Sequence, residues 1–161
     1  WFKKDAGFDR LLAERFGTLH TQASHGELSG WRESPHGRLA EIIVLDQFSR
    51  NLFRDSAKAF AQDGMALVLA QEAVRAGADA ELSAQERVFL YMPYMHSESL
   101  AIHETAVQLF TRNGIQGNLD FEIRHKAIIE RFGRYPHRNA LLGRDSTSEE
   151  TAFLSQPGSS F

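Results

Sequence analysis

The stretch that decides the fold is residues 36–53, HGRLAEIIVLDQFSRNLF. Its apolar side chains recur mainly three and four positions apart, at Leu39, Ile42, Ile43, Leu45 and Phe48. This spacing places them on one face of an α-helix, and it lacks the strict alternation of a half-buried strand. The stretch therefore predicts a long amphipathic helix.

Helical spacing also governs the segments on either side. A first helix, capped by Asp5, is predicted to bury Phe8, Leu11, Leu12, Phe16 and Leu19. A third helix begins at Asp55 or Ser56 and ends at Gly77. Its inward residues are predicted to be Phe60, Met65, Leu67, Leu69 and Val74. Ser83 and Glu86 form a capping box for a fourth helix, which Pro93 is expected to end or kink near Met92.

The remaining helices lie in the C-terminal half. A fifth is predicted to start at Ser97 or Ser99 and to carry Leu100, Val107, Leu109 and Phe110. The sixth is predicted to turn Phe121, Ile123, Ile128, Ile129 and Phe132 inward, and a short last helix ends near Leu154. No segment shows sustained alternation. We therefore predict an all-α fold of six to seven helices in stacked antiparallel hairpins, with a single domain over residues 1–154 and a disordered tail at 155–161.

Composition restricts the class of protein. The chain has 161 residues and a formal net charge of −3, which argues against non-specific binding to nucleic acid or to an anionic membrane. It has no cysteine, so disulfides and thiolate chemistry are excluded. No targeting segment is visible. We expect a soluble cytoplasmic protein, with a homodimer as an alternative to a monomer.

The strongest concentration of polar groups is residues 131–139, RFGRYPHRN, with three arginines, a histidine and an asparagine. Gly133 and Pro136 end the preceding helix, so these groups are expected on a bent, rigid segment. Neighbouring arginines repel one another unless an anion or a carboxylate lies between them. The segment therefore indicates a binding site for an anion.

Two further segments place polar residues among apolar ones. In residues 45–54, Asp46 and Arg50 are four positions apart and are predicted to pair, while Asn51 is expected to be buried and hydrogen-bonded. In residues 91–98, the bend at Pro93 is expected to direct His96 and Glu98 into a cleft.

These segments favour a helical domain that captures an anionic small molecule or a peptide terminus in an Arg/His/Asn groove. The residues expected to bind the ligand are Asp46, Arg50, Asn51, Glu98, Arg131, Arg134, Arg138 and Asn139. The structural alternative is an internal web of ion pairs, in which Asp46, Glu98 and Glu130 neutralise the arginines.

Two other functions stay open at this point. In the first, the protein is an enzyme acting on small metabolites, with His137 or His96 as the acid–base catalyst and the arginines holding an anionic substrate. In the second, it is a scaffold that binds another protein through exposed Trp31, Tyr94 or Phe161.

A metal site has weaker support. His96, Glu98, His125 and His137 could converge on zinc or iron, but their spacing does not require it and the nearby arginines would repel a dication. We therefore predict no metal and no cofactor.

Four motifs in order resemble an uncharacterised bacterial family, domain of unknown function 924. They are WFKKD (1–5), LDQFSRN (45–51), FLYMP with HSE (89–98) and RFGRYPHRN (131–139). The resemblance implies a helical fold akin to tetratricopeptide-repeat proteins, without their sequence repeat. It implies no established activity, substrate or cofactor.

Overall fold

The computed structural model describes residues 5–159, which form helices joined by turns and loops, with no β-strand among them. The prediction of an all-α fold is confirmed. None of the helices within these residues is long and apolar enough to cross a bilayer. Trp1 to Lys4, from the first family motif, and the predicted anchor Phe161 lie outside the described residues.

Helix α1 (Ala6–Ser24) begins as predicted. The Asp5 carboxylate accepts hydrogen bonds from the backbone N–H groups of Gly7 and Phe8, which satisfies donors that the first helical turn leaves unpaired. Leu12 is buried, but Leu11 is exposed, contrary to prediction. The two neighbours point about 100° apart on a helix, and α1 turns Leu12 rather than Leu11 towards its core.

Residues 35–52 form helical structure throughout, as helix α2 (Pro35–Ile43), one π-helical turn (Val44–Phe48) and helix α3 (Ser49–Leu52). Ser34 caps α2, and Pro35 occupies its first turn, where a missing N–H costs nothing. The π-helical turn rotates the chain so that all five of its side chains are buried.

Helix α4 (Asp63–Arg75) follows a short 3-10 turn (Ala57–Phe60). Its buried residues are alanines, at Ala66, Ala70 and Ala73, and the predicted inward Met65 is exposed. Small side chains allow α4 to approach α2, against which it packs, and a pattern read from large residues alone misses such a face.

The C-terminal helices are α5 (Ala84–Met95), α6 (Leu100–Asn113), α7 (Gln116–Phe132) and α8 (Ser148–Leu154). The Ser83/Glu86 capping box is present. Pro93 lies inside α5, which continues to Met95 rather than ending near Met92. Tyr94 is buried, so the prediction of an exposed anchor there is wrong, and burial raises the pKa of its hydroxyl to about 12.

The chain forms two compact units, Trp1–Tyr94 and Met95–Phe161. In the first unit, Leu12, Leu45, Phe48 and other apolar side chains form one core. In the second, α6 and α7 form an antiparallel hairpin, and Ile128, Ile129 and Tyr135 form a smaller core. The single-domain assignment and the tetratricopeptide-like arrangement stay predictions. Residues 155–159 form turns in which the Ser159 hydroxyl donates to the Leu154 carbonyl.

Helix α7 differs most from its predicted orientation. Phe121 and Ile123, predicted inward, are 49% and 50% exposed, whereas Glu122 is completely buried and His125 nearly so. The inward face of α7 is therefore partly polar, and apolar side chains lie on its solvent side.

Candidate functional site

The segment RFGRYPHRN begins where α7 ends. Gly133 adopts the left-handed conformation (φ 68°) that terminates the helix, and Pro136 opens a 3-10 turn (Pro136–Arg138). Tyr135, between them, is completely buried. The predicted bend in this segment is present.

Side chains of the second unit donate hydrogen bonds to three successive carbonyl groups at the end of α5 and just after it. The Tyr135 hydroxyl donates to Met95 O at 2.6 Å, Arg138 Nη2 donates to His96 O at 3.0 Å, and His103 Nε2 donates to Ser97 O at 2.9 Å. A chain leaving a helix has carbonyls without helical partners, and burying them unpaired is costly. These polar groups therefore hold the segment 95–97 in place.

His103 and Glu122 share one buried proton. Because Ser97 O can only accept, His103 Nε2 carries a hydrogen. The proton that His103 and Glu122 share lies in the 2.7 Å contact between His103 Nδ1 and Glu122 Oε1. Burial raises the pKa of Glu122, an effect that the hydrogen bond to His103 only partly opposes. Glu122 Oε2 is buried without a hydrogen-bond partner among the described residues. Both side chains are fully buried, so this pair is closed to a substrate.

Two further histidines of this unit contact Tyr135. The rings of His125 and His137 contact its ring, with centroids 5.7 and 5.5 Å away. Burial lowers the pKa of His125 to about 3, and its Nδ1 donates to Phe121 O at 2.8 Å. His125 is therefore neutral at physiological pH. His137 and His96 are half-buried, and a catalytic role for either stays a prediction.

Arg131 and Arg134 are each paired with a carboxylate of α8. Arg131 bonds Glu149 at 2.7 and 2.9 Å, and Arg134 forms two bonds to Glu150 at 2.7 and 2.9 Å. Hydrogen bonds from Arg134 and from the Thr147 N–H lower the pKa of Glu150 to about 2. An internal web of ion pairs is thus present around these arginines, although its acids are Glu149 and Glu150 rather than Glu130.

Glu98 pairs with an arginine outside the predicted segment. Arg144 binds both of its carboxylate oxygens, at 2.7 and 2.9 Å, and the Tyr135 N–H donates to it at 2.8 Å. Burial alone would raise the pKa of Glu98, but these contacts lower it overall. Arg144 also donates to Asn139 Oδ1, and Asn139 Nδ2 donates to Ser146 Oγ.

The predicted residues of the first unit also have internal partners. Arg50 pairs with Asp46 at 3.3 Å, as predicted, and with Asp63 at 2.9 Å. Asn51 is buried and donates to Asp9 Oδ1 at 2.8 Å. Their role as ligand-binding residues stays a prediction, as does a groove shared with residues 131–139.

The first unit also contains a Ser/His contact that the sequence did not predict, and it is unsuited to nucleophilic catalysis. His20 Nε2 lies 2.7 Å from Ser49 Oγ, but the Ser49 hydroxyl donates its own proton to Leu45 O at 2.5 Å. His20 must then donate to Ser49 rather than accept its proton. Burial lowers the pKa of His20, so the imidazole is a neutral structural donor.

An open pocket of about 280 Å³ is lined by residues of α7, α8 and the turn after α8. Its lining residues are Arg124, Ala127, Ile128, Arg131, Phe132, Phe153 and Gly158. The Phe132 and Phe153 rings pack with centroids 5.1 Å apart, and the Arg131 guanidinium lies 4.7 Å from the Phe132 ring. The pocket combines an apolar wall with two cations.

Sequence reasoning included Arg131 but missed Arg124 and Phe153. A signal existed: Phe121, Arg124, Ile128 and Arg131 recur at three- and four-residue intervals and so share one helical face. Phe153 had no comparable signal, because its contact with Phe132 depends on how α8 folds back.

A metal site is not apparent in the described part of the chain. No three histidine, aspartate or glutamate side chains within residues 5–159 are grouped closely enough to hold an ion.

Comparisons with known proteins agree with the resemblance found in the four motifs. A family model described as a bacterial protein of unknown function, DUF924, matches residues 1–158. The solved structure of a protein of unknown function from Agrobacterium tumefaciens is similar, with a TM-score of 0.92 and 42% sequence identity, over 96% of this chain and 88% of that one. No curated protein matches significantly. The chain belongs to the bacterial family of unknown function DUF924.

Proposed function

We propose that the second unit is a ligand-binding module that takes an anion with an apolar body, specifically a carboxylate, in the pocket beside α7. The observation that carries this proposal is the pocket itself, in which Arg124 stands beside Ile128, Phe132 and Phe153. Ligand sites are typically apolar, with a few polar groups that orient the ligand. This retains the anionic ligand expected from the sequence, but its main contact, Arg124, lies outside the eight ligand-binding residues that the sequence predicted.

Arg124 is the stronger anchor of the two cations. Its guanidinium lies over the Phe121 ring, 5.7 Å from the centroid, and within residues 5–159 it forms no ion pair with a carboxylate. Arg131, by contrast, is already bound to Glu149. An arriving carboxylate therefore gains a charge-assisted hydrogen bond from Arg124 without displacing an internal partner.

The aromatic wall supplies the second half of the recognition. Phe132 and Phe153 present their rings to the pocket beside the buried Ile128. Each methylene that a ligand buries there contributes about 0.8 kcal/mol, or about a fourfold gain in affinity. Affinity should therefore rise along a series of straight-chain carboxylates until the pocket is filled.

Octanoate, monitored through the Ala127 and Ile128 methyl signals by NMR, tests the proposal. We expect saturable shifts of these signals, with a dissociation constant on the order of 1 mM. Octanol, which has the same tail without the charge, should bind about tenfold more weakly. Hexanoate should fall between octanoate and butyrate.

Two variants separate this site from a non-specific charge effect. Arg124→Gln should weaken octanoate binding about tenfold, whereas Arg75→Gln removes an exposed arginine of the first unit and should leave it unchanged. Equal affinity of octanoate and octanol, or no effect of Arg124→Gln, would reject the carboxylate site.

The same chemistry occurs at the C-terminus of a peptide with an apolar last residue. A short peptide ending in leucine and its C-terminally amidated form distinguish the two sources. A free peptide acid that binds more tightly than octanoate, with the amide inactive, identifies a peptide terminus. Octanoate binding with no response to either peptide identifies a small-molecule acid.

A further inference from the structure

Glu149 stands beside the pocket as an internal anion. Its Oε1 atom accepts hydrogen bonds from both Nε and Nη2 of Arg131. The Glu149 side chain is 63% exposed and the Arg131 side chain 48%. The Arg131 guanidinium also lies 4.7 Å from the Phe132 ring centroid and 5.9 Å from that of Phe153. Aromatic rings and carboxylate together hold this cation at the edge of the pocket.

Among the arginines at the pocket and beside it, the positive charge of Arg124 has no carboxylate partner in the part of the chain that the structure describes. Arg131 and Glu149 cancel, as do the neighbouring Arg134 and Glu150, which are also paired. Of the two arginines that line the pocket, only Arg124 forms no ion pair with a carboxylate among residues 5–159. A singly charged ligand matches this balance, whereas the second charge of a dianion meets Glu149 without a free cation to offset it.

From this balance we infer that Glu149 is a specificity-determining residue that makes the pocket select apolar monoanions, such as carboxylates, over dianions such as phosphate monoesters. The inference rests on the proposed function, because it names the ligand class of the same pocket. Glu149 does this without contacting the apolar body of the ligand, through its neutralisation of Arg131.

The test variant is Glu149→Gln. Glutamine keeps a carbonyl oxygen that accepts from Arg131 but removes the negative charge. Glu149 is exposed and takes no part in the capping box of α8, which Thr147 and Glu150 form, so the fold should be unaffected. Glu104→Gln is the matched control, since it removes another exposed carboxylate, one that pairs with Lys126.

Octanoate and octyl phosphate are the two probes, and the measured quantity is the ratio of their dissociation constants. At a pH of about 8 octyl phosphate is a dianion, because its second pKa is about 6. The parent protein should favour octanoate by at least about threefold. Glu149→Gln should bring the ratio to one or reverse it, and Glu104→Gln should leave it as in the parent.

Octyl phosphate also provides a control within a single ligand. At a pH of about 5 it is mainly a monoanion, so the parent should bind it more tightly there than at about 8, and Glu149→Gln should lose this difference.

The outcomes separate the two proposals. If octanoate binds in an Arg124-dependent way but Glu149→Gln leaves the ratio unchanged, the selectivity inference is wrong and the proposed function stands. If octanoate fails to bind the parent, both are wrong.

Discussion

The two faces of α7 reverse the usual relation between polarity and burial. Towards the interior of its unit the helix presents Glu122 and His125, while on its solvent side it presents Phe121 and Ile123. The buried polar groups have internal hydrogen bonds, and the exposed Arg124, Ala127 and Arg131 of the same helix line an apolar pocket. Glu122 and His125 thus have structural partners inside the unit, and the candidate pocket combines two arginines with Ile128 and Phe132, which the sequence predicted to face inward.

The largest expected difference between the two faces of α7 follows from removing the carboxylate of the inner face. Glu122→Ala should destabilise the protein by about 3–5 kcal/mol, because it leaves His103 Nδ1 buried without its partner and opens a cavity. Arg124→Ala, on the outer face of the same helix, should cost less than about 0.5 kcal/mol. Chemical denaturation of both variants measures the contrast, and equal losses would mean that the two faces do not differ in this way.

The second test uses pH. The folded pKa of His125, about 3, lies below its ordinary value of 6.5, so the unfolded chain binds more protons between these values. His125 therefore contributes stability that is complete above a pH of about 6.5 and is lost as the pH falls towards about 3. The free energy of unfolding should decline over this window.

His125→Gln should flatten that decline, and His25→Gln, which changes an exposed histidine, should not. Denaturant titrations at several pH values provide the measurement. A decline of the same steepness in His125→Gln and in the parent would show that His125 is not buried in its neutral form.

The smallest expected effect concerns the outer apolar residues. Phe121→Ser and Ile123→Ser should change the free energy of unfolding by no more than about 0.5 kcal/mol, since both side chains are half exposed. Ile128→Ala, a buried residue on the same helix, should cost about 2 kcal/mol or more. A large loss of unfolding free energy in Phe121→Ser would instead show that this ring lies in a packed contact.

Local signals in the sequence were enough for most of the fold. Three helix ends could be predicted from residues within one helical turn of each end, and the structure confirms them. They are marked by Asp5, by the Ser83/Glu86 pair and by Gly133. The helical period of α7 was equally clear. Such features depend on neighbours three or four residues away, which the sequence displays directly.

The inward face of α7 could not be predicted, because it depends on contacts between residues far apart in the sequence. Whether Glu122 can be buried depends on His103, nineteen residues earlier, and Tyr135 reaches Met95 across forty residues. Apolar residues occur on both sides of α7, so periodicity alone does not decide which side packs inward. The pocket likewise depends on Phe153 returning to Phe132.

The most direct test of the account is the affinity of octanoate for the parent protein and for Arg124→Gln, followed through the Ile128 methyl signals. We predict saturable binding to the parent that weakens about tenfold in Arg124→Gln, with an unchanged free energy of unfolding. Binding that is indifferent to Arg124, or no binding at all, would contradict the claim that the pocket lined by α7 and α8 is a functional site.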